Sequence, residues 1–535
     1  MNGKIPDVVV EILKTLNDAG FDAYVVGGAV RDYFMGLEPH DWDVATSAKP
    51  EQVKELFDKT IDTGIKHGTV TAMIDGEGYE ITTFRSDGEY SDGRHPDEVG
   101  FVESVEEDLS RRDFTINAMA MDANGNMVDP FGGLEDIEKG VIRCVGNPDD
   151  RFSEDALRML RAIRFEAKLG FALDDGVKAS IARNADGLYG VSSERIRDEL
   201  TKTLVSPSPK RGFLDAYETG ITKRVLPEFD RMMECGQDTP YHYASVGIHT
   251  LDSVERIRPE PNLRWTMLFH DMGKPAVKER VDDRDVFHGH PAKSREVADE
   301  VMTRLRFSND DRREIGDLVE RHDTTMSRDS RIREFAAKYG EDFLDKLCEV
   351  KIADVMAHRP EHVDGLMRRH MGFVDKAKGF VHDGTAIRPR DLEINGFELQ
   401  EYGFQGKAIG DFLRSAYRDC LGNPSLNSNE KLRARALATA KREGLEVRKP
   451  ESDIERCEFE RAESVETSKE DVDADSSEKE DFERKEPDDD VVGNDDWNSV
   501  VEDEDEDEWD VVESDDVDES ESVVADCDYE RDGVD

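Results

Sequence analysis

The feature that most constrains the fold is a short apolar run, Tyr24-Val25-Val26. It breaks at Gly27-Gly28, continues through Ala29-Val30-Arg31-Asp32-Tyr33-Phe34 and returns as Asp41-Trp42-Asp43-Val44-Ala45. Periodicity reads this as strand, turn, helix and strand, which commits the region to an α/β layer. The two glycines let the backbone come close to a phosphate, and the amides of the following helix would face it. Alternation along the second strand would put Asp41 and Asp43 on one face of the sheet. Two acids so placed can share a pair of magnesium ions, which activate an attacking hydroxyl and steady a leaving pyrophosphate. The unit reads as a nucleotide-transfer site.

Later segments extend the pattern in order: Tyr79-Glu80-Ile81-Thr82-Thr83-Phe84-Arg85, Asp92-Gly93-Arg94-His95-Pro96, Arg111-Arg112-Asp113-Phe114-Thr115-Ile116-Asn117, and Glu154-Asp155-Ala156-Leu157-Arg158-Met159-Leu160-Arg161-Ala162-Ile163-Arg164-Phe165. From about residue 20 to residue 230 the chain resembles the polymerase-beta-like nucleotidyltransferases of class II, which include tRNA CCA-adding enzymes and bacterial poly(A) polymerases. The resemblance implies Asp41 and Asp43 as magnesium ligands and Glu80 as a third carboxylate that deprotonates the incoming RNA hydroxyl. Gly27, Gly28 and Arg31 would cradle triphosphate, since glycine amides and a guanidinium suit phosphate oxygens. Arg111, Arg112, Asp113 and Asn117 occupy the sugar- and phosphate-contacting segment, and their i, i+4 spacing would set Asp113 and Asn117 on one helix face.

Asp155 and Arg158, three positions apart, would share a helix face. A carboxylate accepts from the exocyclic amine common to cytosine and adenine, and a guanidinium donates to ring acceptors, so such a pair can read a base without a nucleic-acid template. The resemblance gives these positions that role, with Glu154 orienting the arginine and Arg161 and Arg164 beside them; an ordinary helical salt bridge would show the same spacing. The loop from Ser86 to Val99, rich in Asp, Gly and Ser, should be mobile, and the resemblance implies that it serves the switch from adding C to adding A.

RNA and a net charge of −52 over 535 residues are an awkward pairing. Between Glu451 and Asp535, however, stand 40 acidic and 7 basic residues, so this stretch carries −33 and the rest −19. The stretch is expected to be a disordered polyelectrolyte with too little apolar surface to offset ordering entropy. The remainder must cluster its bases, and Arg111-Arg112, Arg158-Arg161-Arg164 and the 431–448 region are candidates. No apolar run approaches the roughly 18 residues of a membrane span, and the N-terminus lacks a signal-peptide core, which predicts a cytoplasmic protein. Six scattered cysteines without a Cys-x-x-Cys pair fit reduced thiols.

The expected organisation is an α/β head over residues 1–140 with a polymerase-beta-like sheet, then all-α domains: a nucleotide-selecting neck at 141–235, a histidine-bearing domain at 236–380 and an RNA-binding region at 381–449, followed by the acidic tail at 450–535. The head opens on an amphipathic helix marked by Val9, Ile12, Leu13 and Leu16, and from Phe152 to residue 240 no strand is evident. His249, His270-Asp271, Phe287-His288-Gly289-His290, His322 and Asp354 follow in order and resemble the HD phosphohydrolase superfamily. The resemblance implies that His249, His270, Asp271 and Asp354 hold magnesium or a divalent transition metal that acidifies a water, with His290 and His322 as further candidates. Asp391–Gly396, Gly403–Gly410 and Asn423–Asn427 look like the region that in this family grips the tRNA elbow.

The reading is therefore an enzyme that adds C, C and A from CTP and ATP to the 3′ end of tRNA, using Mg2+, with an HD-type second site. Poly(A) polymerase and A-adding activity share the head motifs. A phosphohydrolase with a regulatory nucleotide-binding head, and an RNA-binding regulator, are the readings from other classes.

Overall fold

The computed structural model describes residues 5–39, 41–65, 68–87, 99–239, 241–242 and 244–447. The acidic stretch expected to be disordered and most of the loop between Ser86 and Val99 lie outside them. Two compact units divide the chain: one holds the described residues up to Asp323 with Lys346–Arg368, the other Thr324–Asp345 with the described residues from Arg369 on.

The first unit opens with the expected helix, Asp7–Asp18, whose buried residues are Val9, Ile12, Leu13 and Leu16. The strands follow as β1 (Ala23–Val26), β2 (Val44–Thr46), β3 (Thr60–Gly64), β4 (Thr69–Ile74), β5 (Glu77–Thr83), β6 (Arg85–Asp87), β7 (Val99–Phe101), β8 (Ala120–Met121) and β9 (Met127–Val128). Seven of them form one sheet in the order β3-β4-β5-β2-β1-β8-β9, and β6 pairs with β7 apart from it. β2 and β5 run parallel, with Val44 opposite Ile81. Val25, Val44, Val70 and Ile81 pack in one core with Val30 of the helix Gly28–Phe34 and the apolar face of the opening helix. Each such side chain contributes about 1.5–3 kcal/mol on burial, so the sheet that carries the two aspartates is a rigid platform.

Four local expectations are corrected. β2 begins at Val44, so Asp41 and Asp43 precede the strand; the Val26 amide still donates to the Asp43 carbonyl at 3.0 Å, extending the β1–β2 ladder by one step. Asp113 and Asn117 do not share a helix: a helix ends at Ser110 and a 3-10 turn covers Thr115–Asn117, because Asp113 and Phe114 are drawn out by backbone bonds to Val145 and by pairing with Cys144. Asp155 and Arg158 do not share one either, since Pro148–Glu154 and Leu157–Leu169 are separate helices and Asp155 between them is extended (φ −146°, ψ 105°). A two-residue strand at Ala172–Leu173, paired with Val141–Ile142, also interrupts the segment read as free of strands.

The histidine-bearing part of this unit is helical, with Val246–Arg256, Pro261–Phe269, His290–Arg304 and Asn309–Arg321 and a small hairpin of Glu279–Val281 with Arg284–Val286. In the second unit Leu399, Phe404, Phe412, Cys420, Leu432 and Ala436 form a separate core. There Asn427 accepts from the Glu393 amide at 2.9 Å and donates to the Asp391 carbonyl at 3.0 Å, so two of the segments compared with an RNA-gripping region are tied together. Among the described residues no helix is long and apolar enough to cross a membrane.

Candidate functional site

A cavity of about 520 Å3 in the first unit brings together residues far apart in sequence: Gly27, Gly28 and Arg31; Asp43; Arg111, Arg112, Asp113 and Asn117; Asp155, Arg158, Arg161 and Arg164. Sequence reasoning missed Lys168 and Arg195, which also line it. Lys168 continues the helical row of Arg161 and Arg164 and was detectable by period; Arg195 lies 40 positions from its partner Asp155, and only the fold reveals the pairing. Eight cationic side chains face three acidic ones in this lining. The local balance is thus opposite in sign to that of the chain.

Backbone geometry shapes the entrance. Gly27 has φ +73°, and a Cβ there would stand 2.9 Å from Arg112 Nη1, so a side chain would be strained and would displace the guanidinium. Each arginine is aimed by an acid. Arg31 donates to Asp32 at 2.8 Å and, through Nη1, to Asn117 Oδ1 at 2.7 Å. Arg111 and Arg112 both reach the buried Asp108, at 2.8 and 3.3 Å. Arg161 pairs with Asp113 at 2.6 Å and Arg164 with Glu199 at 2.6 Å, and the guanidiniums of Arg31, Arg161 and Arg164 stand 5.4, 5.6 and 4.3 Å from the Phe165 ring centroid. The cations crowd one another: burial, then the charge of Arg31, pushes the Lys168 ammonium down. Burial alone would raise Asp113, but Arg161 holds its carboxyl below the usual range.

Glu154, Asp155 and Arg158 are held individually. Glu154 receives Arg151 at 2.6 Å and also pairs with Arg158. Arg158 donates further to the carbonyls of Arg151 and Arg111, at 3.1 and 3.3 Å. Asp155 accepts the Leu157 amide on Oδ1 at 3.0 Å and Arg195 on Oδ2 at 2.7 Å. Both groups therefore point into the cavity from fixed anchors.

The acids Asp41, Asp43 and Glu80 form a looser group. Asp43 and Glu80 immediately precede the first β2–β5 pair, Val44 and Ile81, so their backbones are neighbours. Burial, then the charge of Glu80, lifts the Asp43 carboxyl above its ordinary value, with Arg112 opposing and Asp41 adding to the rise. Two neighbouring carboxylates thus act on Asp43, a charge arrangement that a divalent cation would relieve.

The tighter acid–imidazole group lies in the helical part. His249 Nε2 is 2.9 Å from Asp354 Oδ1, and His270 Nε2 is 3.3 Å from Asp271 and 3.5 Å from Asp354. His290 and His322 Nε2 stand 3.6 and 3.9 Å from Asp271 Oδ1. His270 Nε2 and both Asp271 oxygens are buried without a hydrogen bond, although the Lys274 ammonium comes within 3.0 Å of Asp271. Orphaned donors of this kind fit a metal ion, since buried polar atoms otherwise find partners. Burial would lower His270, yet Asp271 and Asp354 lift it to about 10. Among the described residues, every cluster of three or more potential metal ligands lies here, and these clusters take in His242 and His358 as well as His249, His270, Asp271, His290 and His322.

Comparison with known proteins matches three stretches of the chain to family models. The family model of the poly A polymerase head domain matches residues 23–143 and that of the HD domain residues 247–358. Residues 170–233 match the model described as "Probable RNA and SrmB- binding site of polymerase A". CCA-adding enzymes of Lactobacillus helveticus and Lactobacillus johnsonii are each 50% identical, over 240 and 224 residues. These alignments take in 44% and 41% of this chain, which spans only 60% and 56% of those relatives' lengths. The crystal structure of the Bacillus stearothermophilus CCA-adding enzyme in complex with CTP is 29% identical with a TM-score of 0.60, covering 82% of this chain and 99% of that one. In chain order, then, residues 23–143, 170–233 and 247–358 are similar to a poly A polymerase head domain, to the segment that the second model describes and to an HD domain.

Proposed function

We propose that this chain adds C, C and A to the 3′ end of tRNA from CTP and ATP. The observation that carries the reading is the single cavity in which Asp43, the Gly27-Gly28 turn and the Asp155–Arg158 pair meet under an excess of five positive charges. Likeness to CCA-adding enzymes, one of them solved with CTP, supports it.

Asp41 and Asp43, with Glu80 beside them, would hold magnesium, which when bound activates the attacking hydroxyl and neutralises charge on the triphosphate. The remaining steps belong to side chains. Arg31, Arg111, Arg112 and Lys168 bind triphosphate oxygens, with the Gly27-Gly28 backbone close against them. Asp155 Oδ2, oriented by Arg195, accepts from the exocyclic amine of cytosine or adenine, and Arg158, oriented by Glu154, donates to the ring acceptors. Uracil and guanine, which present a carbonyl at that position, would face a carboxylate acceptor without a proton to share and are rejected. Glu80 takes the proton of the 3′ hydroxyl; its oxygen bonds to the α-phosphorus, and the α–β anhydride electrons leave with pyrophosphate.

The histidine group acts separately as a metal-dependent phosphohydrolase centre, with His249, His270, Asp271 and Asp354 as ligands and His290 and His322 beside them. The metal would be a divalent transition metal or Mg2+, and it would supply an acidified water.

The test supplies magnesium and three tRNAs, ending before CCA, after one C and after CC, with CTP, ATP or both, and sequences the 3′ ends. Addition of C, C and one A is expected; a long A tail on any RNA would replace this reading by poly(A) polymerase. Asp41→Ala should abolish addition and spare metal-dependent phosphatase activity, while His270→Ala should do the reverse. Loss of both activities in either variant would refute two independent sites.

A further inference from the structure

Three guanidiniums of the cavity share one aromatic ring. Arg164, Arg31 and Arg161 stand 4.3, 5.4 and 5.6 Å from the ring centroid of Phe165, a residue 5% exposed that lines the cavity with them. Strong contacts of this kind occur about once per 70–80 residues in proteins, so three on one ring call for a reason beyond chance packing. The ring is itself held in place: Phe114, also buried, meets it edge to face, with centroids 5.7 Å apart and planes at 79°.

Two helices bring the cations to this ring. On Leu157–Leu169, Arg161 stands four positions before Phe165 and Lys168 three after, the spacing of one helix face, and Arg164 is its neighbour in the chain. Arg31 arrives on Gly28–Phe34. Acids tie each guanidinium, Asp32 for Arg31, Asp113 for Arg161 and Glu199 for Arg164, yet the cations still act on one another. Burial pushes the Arg164 guanidinium below its ordinary value against the pull of Glu199, and Arg161 adds to the fall. After burial, Arg31 and Arg164 act likewise on Lys168. A further carboxylate among these groups would calm them but would also repel a triphosphate, and an aliphatic side chain would fill the volume and attract nothing. A phenyl face carries partial negative charge without formal charge, so it attracts the cations and leaves the positive surplus of the lining intact.

We propose that Phe165 is a positioning residue for the phosphate chain of the nucleotide: its ring holds Arg31, Arg161 and Arg164 as one group facing the cavity. The inference rests on the reading of this cavity as a nucleotide site, and it adds Arg161 and Arg164 to the cradle of Arg31, Arg111, Arg112 and Lys168. Because the ring acts through guanidiniums, its effect belongs to the pyrophosphate moiety that CTP and ATP share and is blind to the base.

The full chain is prepared with mono-, di- or trifluorinated phenylalanine in place of Phe165, a series that keeps the shape of the ring while draining charge from its face stepwise. Calorimetry with magnesium and CTP, ATP or inorganic pyrophosphate is expected to show affinity falling with each fluorine by a common factor for all three ligands, roughly 5- to 20-fold at three fluorines. The melting temperature should stay constant along the series, and kcat for CMP incorporation should stay within about two-fold. Equal affinities across the series would overturn the proposal. A loss confined to CTP and ATP would assign Phe165 to the base or ribose and overturn it too. An unmutated chain that binds none of the three ligands would remove the nucleotide reading of the cavity and this inference with it. Phe165→Tyr, which retains the face, should bind all three like the unmutated chain, whereas Phe165→Leu should lose at least as much affinity as the trifluorinated ring; a leucine variant that binds pyrophosphate normally would refute the role of the ring.

Discussion

Arg195→Ala tests the base-reading assignment through a residue that need not touch the base itself. Its Nη2 donates to Asp155 Oδ2 at 2.7 Å, with side-chain exposures of 23% and 15%. A hydrogen bond between charged groups is worth about 1.5–3 kcal/mol when sheltered, and partial exposure reduces this to about 1–2 kcal/mol. Asp155 Oδ1 remains anchored by the Leu157 amide at 3.0 Å, so the loop should hold while the reading oxygen gains freedom to turn away. If Asp155 accepts from the exocyclic amine, the whole deficit falls on correct nucleotides: CMP and AMP incorporation should slow by roughly 5- to 30-fold. Misincorporation of UMP, which makes no such bond, should change little. Arg195→Lys, which keeps the charge but loses the fork, should fall between. Single-turnover incorporation of CMP and UMP on a tRNA ending in one C, and of AMP on one ending in CC, reads all of this. An equal loss for UMP and CMP would show that Arg195 merely supports the neck, and no loss for either would remove Asp155 from base selection.

Two further outcomes follow from local chemistry. Gly27→Ala places an L residue at φ +73° and a Cβ 2.9 Å from Arg112 Nη1; a strain of about 1–2 kcal/mol is expected, and KM for CTP and ATP should rise together, an unchanged KM counting against a phosphate role for this turn. Glu166 lies on the same helix as Arg158 and is lifted to about 8 by burial and then by Asp215. Between the unfolded value near 4.5 and about 8 the unfolded chain gives up a proton that the folded chain keeps, so stability falls as pH rises across this window. Glu166→Gln should flatten that fall in melting temperature between pH 5 and 8; an identical slope in both proteins would refute it.

Much of the fold was legible because its signals are local. The opening helix shows its apolar stripe in Val9, Ile12, Leu13 and Leu16, and those are its buried residues. The strand–glycine–helix unit is written in consecutive residues, and the seven-stranded sheet that it seeds needs only the β-rich segments up to Met121 and beyond. Errors arose where tertiary bonds override helical spacing. Asp155 has the i, i+3 relation to Arg158 that a helix would use, but the chain bends at this residue and its carboxylate caps the next helix, so the pair meets by a turn. Asp113 and Asn117 meet for a similar reason, joined at 3.3 Å across a 3-10 turn. His242 was invisible because no period links it to its partners: it lies outside the helix Val246–Arg256 that carries His249, and His358 approaches from about 116 positions downstream.

The charge of the chain misleads about its site for a geometric reason. Asp32, Asp108, Glu154 and Glu199 neutralise five of the seven arginines of the cavity, yet none of the four lines it. Asp108 is buried, as is Glu199, so these acids act from behind the guanidiniums and fix their planes. A guanidinium has five donors in a rigid fork and can give one edge to a carboxylate while presenting another elsewhere, which an ammonium cannot do with defined geometry. Seven of the eight cations are therefore arginines. The result is a dipolar wall, acid outside and cation inside, whose net contribution to the formal charge is small while its inner face is positive. Net charge adds over residues regardless of where they point, whereas a polyanionic substrate meets only the inner face. An acidic body and the proposed triphosphate-binding role of this cavity are thus compatible, and the property that decides between them is the direction in which each acid–base pair is aimed.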